Sequence, residues 1–334
     1  MTEKRLKTGP LNLITDVPGV LVGNATDETV KTGVTILRCA SSFVTAVDIR
    51  GGAPGARETD VLSPENLVGR ADAIVLTGGS VFGLAAADGV VSVLSSKNIG
   101  LRLGVKGPAI PIVPAAVLHD LSNDGDKNWG ETPPYRALGV KAAKCVGAEF
   151  TLGATGAGRG AMAGINKGGI GSVSLALENG IMVGALVAAN PVGSVFMPDG
   201  KTFYAWPWEL NSEYGAHTPT TARDNADPFP SHSRFSEQTQ AGANTTIAIV
   251  ATNAQLTNIE AKRIAIMAHD GIARAIRPAH TAFDGDIVFA VATAQKELPA
   301  GPEFSRQRLI ARVGAAAADC LARSIARAVY EANY

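Results

Sequence analysis

Gly242-Ala243-Asn244-Thr245-Thr246-Ile247-Ala248-Ile249-Val250-Ala251-Thr252-Asn253-Ala254 is the stretch on which the fold turns. A polar opening, Asn244-Thr245-Thr246, runs directly into the apolar, β-branched run Ile247-Ala248-Ile249-Val250. So short a run, bounded by Gly242 and Asn253, reads as a buried strand and not as a helix. The preceding tract, about 211–240, is polar, carries prolines and has almost no hydrophobic periodicity. A loop of that length is normally functional or disordered. Two readings are open. One is an ordinary loop-to-strand junction. The other is a cleavage point that makes Thr245 a new N-terminus, with hydroxyl and free α-amine on one residue. An α-amine titrates at roughly 7.7–8.0, so such a nucleophile carries its own general base.

The rest of the chain sets the frame for that strand. Its 334 residues suit one large or two modest domains. With 46% hydrophobic residues there is ample material for a core, and 18% charged residues with 37 glycines argue for packed sheet and turns. Thirty basic residues cancel thirty acidic ones, so no basic field exists to attract nucleic acid or anionic lipid. Cys39, Cys145 and Cys320 lie far apart without pair spacing and fit buried thiols in a reducing compartment. No apolar signal core follows Met1, and no run reaches membrane-spanning length, so a cytoplasmic protein without a membrane partner is expected.

Short β-branched segments at 20–23, 33–37, 43–47 and 73–77 read as strands. A short helix is expected from Ser63-Pro64-Glu65, with Ser63 as N-cap. Further helices are expected over 81–96, 134–147, 258–276 and 306–332, and a strand over 286–293. Pro108 to Pro114 must be extended. Gly156-Ala157-Gly158-Arg159-Gly160-Ala161 matches a dinucleotide fingerprint, but Gly164, Gly168, Gly169 and Gly171 forbid the helix it requires. Strands at 171–178 and 181–189, joined by a two-residue Asn179-Gly180 turn, are the better reading. That hairpin brings Lys167 and Asn190 to one end of the sheet. The pattern is one compact α/β unit, with helices layered on sheet.

Residue by residue, the chemistry stays open. Asp284-Gly285-Asp286 fits a turn before a strand, a metal site, or a carboxylate pair that orients an amine. None of the five histidines has paired ligand spacing with the acids, so neither a metal nor another cofactor is expected. Lys167 alone fits a solvated charge, and Asn190-Pro191 alone fits a turn.

In order along the chain, several segments resemble the self-processing L-aminopeptidase/D-esterase family. That family includes β-aminopeptidases and endo-type 6-aminohexanoate (nylon) oligomer hydrolases. The segments are Ile14-Thr15-Asp16-Val17-Pro18-Gly19-Val20, Gly51-Gly52-Ala53, Gly78-Gly79-Ser80-Val81-Phe82-Gly83-Leu84, Lys167-Gly168-Gly169-Ile170-Gly171 and Asn190-Pro191-Val192-Gly193. They continue with Asn244-Thr245-Thr246, Ile249-Val250-Ala251-Thr252-Asn253, His280-Thr281-Ala282-Phe283-Asp284-Gly285-Asp286 and Phe289-Ala290-Val291. No single motif is specific; their order over nearly the whole chain is.

The resemblance implies a four-layer αββα sandwich, a single domain 1–334 self-cleaved into 1–244 and 245–334, and assembly as a tetramer of such pairs. The cut falls between Asn244 and Thr245. Carried over by position, Thr245 is the nucleophile, and Lys167 stabilises negative charge or tunes the amine. Asn190 serves the oxyanion, while Asp284 and Asp286 fix the Thr245 amine and Lys167. Substrates are small peptides or amides. Aminopeptidase members tend to carry Ser-x-Glu and a nucleophilic Ser, so Asp284-x-Asp286 with Thr245 resembles the oligomer-hydrolase branch. Phe82 stands where some members have a tyrosine near the site, which removes a phenolic hydrogen bond. An acyltransferase of the ornithine acetyltransferase type and an unprocessed, non-catalytic homologue are the alternatives.

Overall fold

The computed structural model describes residues 6–104, 106–219, 227–235, 244–298 and 301–334. Its strands are β1 (Val20–Asp27), β2 (Thr32–Ile49), β3 (Ala56–Arg57), β4 (Arg70–Thr77), β5 (Ala115–Val117), β6 (Met162–Ala163), β7 (Asn166–Lys167), β8 (Gly169–Ala176), β9 (Met182–Asn190), β10 (Thr245–Ala254) and β11 (Ile287–Lys296). The helices are α1 (Ala85–Ser96), α2 (Tyr135–Lys144), α3 (Asn258–Ala275) and α4 (Ser305–Asn333). Hydrogen bonding runs in the order β3-β5-β4-β2-β11-β10-β9-β8, with β1 paired to β2.

Strand alternation divides the apolar side chains among three cores. Ile247, Ile249 and Ala251 of β10 meet Leu37 of β2, Ile74 and Leu76 of β4 and Leu186 of β9 in a core between two layers of sheet. The alternate residues Ala248 and Val250 join Ala185 and Val187 against α3 and α4, through Ile264, Ile272, Leu321 and Ile325. Val34 and Ile36 of β2 and Ala73 and Val75 of β4 pack instead on α1 and α2, through Val90, Leu94 and Leu138. Helix, sheet, sheet and helix therefore follow one another: the four-layer αββα sandwich expected. Strands buried on both faces read as continuous apolar runs, which is why Ile247 to Val250 is recognisable.

β2 belongs to both sheet layers. Residues 34–38 pair with β4 and residues 44–49 with β11, and the register shifts between Arg38 and Phe43. The two separate strands expected at 33–37 and 43–47 are therefore one strand with a bulge. The expected helix at Ser63 is absent: Asp60–Leu62 is a 3-10 turn capped by Ser63, and turns and bends follow. The 81–96 helix opens with a 3-10 segment, Ser80–Leu84, before α1. The β8–β9 turn is one residue longer than expected, because Leu177 N already donates to Ile181 O. Asn179 and Gly180 do take positive φ, at 61° and 72°. Cys39 and Cys320 are buried as expected, but Cys145 is exposed at the end of α2.

The polar tract is only partly described: 220–226 and 236–243 lie outside the described residues. Its first part is packed, not loose. Tyr214 is buried and donates to Ala205 O at 2.8 Å, and Glu213 takes a bidentate bond from the buried Arg323 of α4, at 2.6 and 2.9 Å. Among the described residues no helix is long and apolar enough to cross a membrane.

Candidate active site

β10 is held on both sides. β9 runs antiparallel to it, with Thr245 opposite Asn190, and β11 runs parallel, with Ile247 opposite Ile287. A parallel pair needs a crossover, here provided by α3, whose start is fixed by Thr257 and Glu260 as a capping box. The strand register thus delivers Thr245, Asn190 and the residues just before β11 to one end of the sheet.

Thr245 is 2% exposed. Its Oγ1 donates to the carbonyl oxygen of Asn244, so the hydroxyl lies against the peptide group that precedes it. The Asn244 backbone bridges to Asp284, and its carbonyl also accepts from Gly285 N at 2.9 Å. Gly285 must be a glycine for steric reasons. A Cβ there would stand 2.8 Å from Thr245 Oγ1 and 2.7 Å from Ala53 O. Gly51 and Gly52 back the same loop, since a Cβ on Gly51 would come within 2.2 Å of Asp286 N. That close approach accounts for the Gly51-Gly52-Ala53 motif.

The two aspartates are buried and hold different partners. Asp286 Oδ1 accepts from Thr246 N at 2.8 Å, and Oδ2 accepts from His280 N at 3.1 Å and contacts His280 Nδ1 at 2.7 Å. Asp284 Oδ1 accepts from Val192 N at 3.2 Å, and Oδ2 accepts from Thr281 N at 3.1 Å and Thr281 Oγ1 at 2.6 Å. Burial, and next the charge of Asp286, push the Asp284 carboxyl up from 3.8 to about 6. The bonds from Thr281 and Val192 oppose that rise.

Asn190 Oδ1 accepts from Met162 N at 2.9 Å and from Arg234 Nη2 at 3.3 Å, while Nδ2 donates to His119 O at 3.3 Å. Lys167 lies one pairing away, because Met162 is its β6–β7 partner. The β8–β9 hairpin, with Gly169 opposite Ala189, brings the Lys167 and Asn190 ends together as expected. The Lys167 side chain is exposed and lines a cleft of about 360 Å³ with Lys31, Asp124, Arg159, Met162 and Gly168. Lys31 pairs with Asp124 and Arg159 with Glu28; among the described residues Lys167 makes no ion pair with either aspartate. Phe82 is exposed and sets its ring edge-on to Trp129.

Sequence reasoning missed three participants. His280 and Thr281 belong to the His280–Asp286 segment, but their spacing to the aspartates signals nothing without the loop geometry. His280 adopts a positive φ of 56°, the conformation that lets its backbone N and its ring reach one carboxylate oxygen. Arg234 lies in the polar tract, where no pattern marks it. Among the described residues no group of three or more His, Cys, Asp and Glu side chains is placed to hold a metal.

A sequence model of peptidase family S58 matches residues 12–334. The chain belongs to that family. It is 42% identical over 346 residues to an uncharacterized aminopeptidase of Mycobacterium leprae, covering 98% of this chain and 92% of that protein. It is 34% identical over 316 residues to a 6-aminohexanoate-oligomer endohydrolase of Kocuria sp., covering 90% of this chain and 81% of the relative. Among solved structures, the Burkholderia sp. β-aminopeptidase superposes with a TM-score of 0.69 at 25% identity, over 97% of this chain and 88% of that one. The L-aminopeptidase D-Ala-esterase/amidase of Ochrobactrum anthropi, described as a variant of the Ntn hydrolase fold, also gives 0.69, at 23% identity over 98% and 88%. This S58 chain is a hydrolase of the peptidase class on an Ntn-type fold, and the family favours hydrolysis over the acyltransferase alternative.

Proposed function

We propose that the chain cuts itself between Asn244 and Thr245 and then acts as an N-terminal-threonine amide hydrolase on small peptides or ω-amino-acid oligomers. One observation carries the reading: Thr245 opens a buried strand with its hydroxyl against the Asn244 carbonyl and Asn190 directly opposite. In the first reaction Oγ1 attacks the Asn244 carbonyl carbon, the peptide nitrogen leaves as the α-amine, and water hydrolyses the resulting ester. In the second, that amine takes the hydroxyl proton and Oγ1 attacks the substrate carbonyl. Asn190 Nδ2 donates to the oxyanion, and the Asp284–Asp286 loop stabilises the ammonium as it forms. The leaving amine takes the proton, and a water molecule then releases the acyl group from Oγ1.

The fragments stay together after the cut, because β10 is paired with β9 of the larger piece and β11 with β2. The names of the relatives support both substrate classes, and the exposed Lys167 cleft offers a cation for the carboxylate end of either. Lys167 stabilises negative charge there. The cleaved pairs assemble further, as the resemblance implies.

Intact-mass spectrometry of the purified protein is the test. A C-terminal fragment of roughly 9 kDa beginning Thr-Thr-Ile is expected, with its complement, from the self-activating nucleophile chemistry. A fully active protein that remains one uncut chain would end the free-amine mechanism.

A further inference from the structure

The proposed chemistry makes no use of Arg234, yet its guanidinium contacts the oxyanion donor Asn190. It lies in the described segment 227–235 of the polar tract, and its backbone N donates to Val192 O at 2.8 Å. Its Nη2 points at a cluster of acceptors: Met162 O at 2.8 Å, Asn190 O at 3.1 Å, Pro191 O at 3.1 Å and Asn190 Oδ1 at 3.3 Å. We propose that Arg234 is a positioning residue that holds the Asn190 carboxamide with its NH₂ end toward the reacting carbonyl. The inference rests on the reading of Asn190 as the oxyanion donor.

A carboxamide has an accepting end and a donating end of nearly equal shape. Rotated by half a turn, Asn190 would present Oδ1 to a developing oxyanion and repel it. Two N–H donors, Met162 N and Arg234 Nη2, converge on the Oδ1 position. In the rotated form Met162 N would face an NH₂, and Arg234 Nη2, held in place by Met162 O, Asn190 O and Pro191 O, would stand against the same wrong end of the amide. That donor-against-donor mismatch disfavours the rotated form. At the other end, Nδ2 bonds His119 O at 3.3 Å, a long bond that is easily exchanged for one to an oxyanion.

The guanidinium also ties Met162, Asn190 and Pro191 into one unit, joining the β6–β7 pair that carries Lys167 to the end of β9. Burial pushes Arg234 down to about 10, and the charge of Asp284 opposes that shift, so the cation belongs electrostatically to the acidic loop as well. Arg234 and Asn190 both precede Asn244, so cutting the 244–245 bond leaves the clamp in one fragment.

The experiment is a double-mutant cycle on Asn190→Ala and Arg234→Met, with kcat and KM measured per cleaved chain on an aminoacyl p-nitroanilide. For variants that do not process, the cycle is read on the rate of self-cleavage. Asn190→Ala should lower kcat by about 10²–10³. Arg234→Met should lower it by roughly 10–100-fold with KM little changed, as misplacement of one group does. The double variant should be no worse than Asn190→Ala alone. Added guanidinium should restore part of the Arg234→Ala rate, which a purely structural defect would not allow. A double variant that loses the product of both single effects, or an Arg234→Met enzyme at the parent rate, overturns the proposal. An Asn190→Ala enzyme at the parent rate would instead overturn the oxyanion reading itself.

Discussion

Thr245 and Asn190 stand directly opposite each other on the β9–β10 ladder, so nucleophile and amide donor share one rung. Residues paired in this way project from the same face of an antiparallel sheet. A slip of one residue would send them to opposite faces. Eight consecutive pairs, from Thr245–Asn190 to Thr252–Val183, fix the register, and all these residues of β10 are buried. The placing of nucleophile and amide donor is therefore inherited from strand pairing, while the acidic loop before β11 supplies the groups around them.

Thr245→Ala should abolish both self-cleavage and amide hydrolysis while the fold survives, because the hydroxyl attacks in each reaction. Thr245→Ser should keep part of both. Gel analysis of cleavage and a p-nitroanilide assay check this. An alanine variant that hydrolyses at the parent rate would place the nucleophile elsewhere.

Gly285→Ala tests the space around that hydroxyl. The new Cβ would meet Thr245 Oγ1 at 2.8 Å and the Ala53 carbonyl at 2.7 Å, closer than real Cβ contacts come. Either the hydroxyl or the loop must move. A displacement of about 1 Å at a reacting group can cost on the order of 10²-fold in rate. Self-cleavage slowed by that factor, with thermal stability changed little, is the expected result; cleavage at the parent rate would show that the loop yields freely.

Much of this arrangement was legible in the sequence, for identifiable reasons. The Ile247–Val250 run betrays a strand buried on both faces, and Asn179-Gly180 betrays the hairpin that puts Lys167 and Asn190 at one end. What escaped were contacts made by tertiary placement. No local pattern says that β2 changes sheet layer at its bulge, that Arg234 folds back from a polar tract, or that Ser63 ends a 3-10 turn and starts no helix. In the uncut chain, where Thr245 has no free amine, the aspartates bond Thr246 N, Val192 N, Thr281 and His280, partners that no local pattern marks.

The bond from His280 to Asp286 requires a positive φ, which asparagine and glycine tolerate better than alanine. His280→Asn, able to keep both the backbone conformation and a side-chain donor, should lose about tenfold or less in kcat. His280→Ala, which must either strain or unwind the loop, should lose more and also lower thermal stability by roughly 1–3 kcal/mol. The comparison uses kcat and the unfolding midpoint of cleaved protein. Equal effects for the two variants would remove the role assigned to the backbone.

Asp284 should set opposite pH dependences for activity and stability. Its carboxyl is held at about 6 by burial and by the neighbouring Asp286. A group whose pKa is raised on folding binds its proton more tightly in the native chain. Its stabilising contribution is therefore full below 3.8 and is lost as the pH rises through about 6. That loss amounts to about 2 kcal/mol between pH 4 and pH 7, at roughly 1.4 kcal/mol for each pH unit crossed. Activity moves the other way. Only the ionised carboxylate stabilises the ammonium on Thr245, so below 6 kcat/KM should fall by about a further tenfold per pH unit, on top of the fall that protonation of the α-amine imposes. In Asp284→Asn the stability slope should flatten across pH 5–7, and the rate should keep only the limb set by protonation of the Thr245 α-amine. Rate profiles and unfolding midpoints taken on the same samples decide the matter. A parent-like acid limb in the variant would assign it to another group, and a parent whose stability rises from pH 5 to pH 7 relative to the variant would reverse the sign argued here.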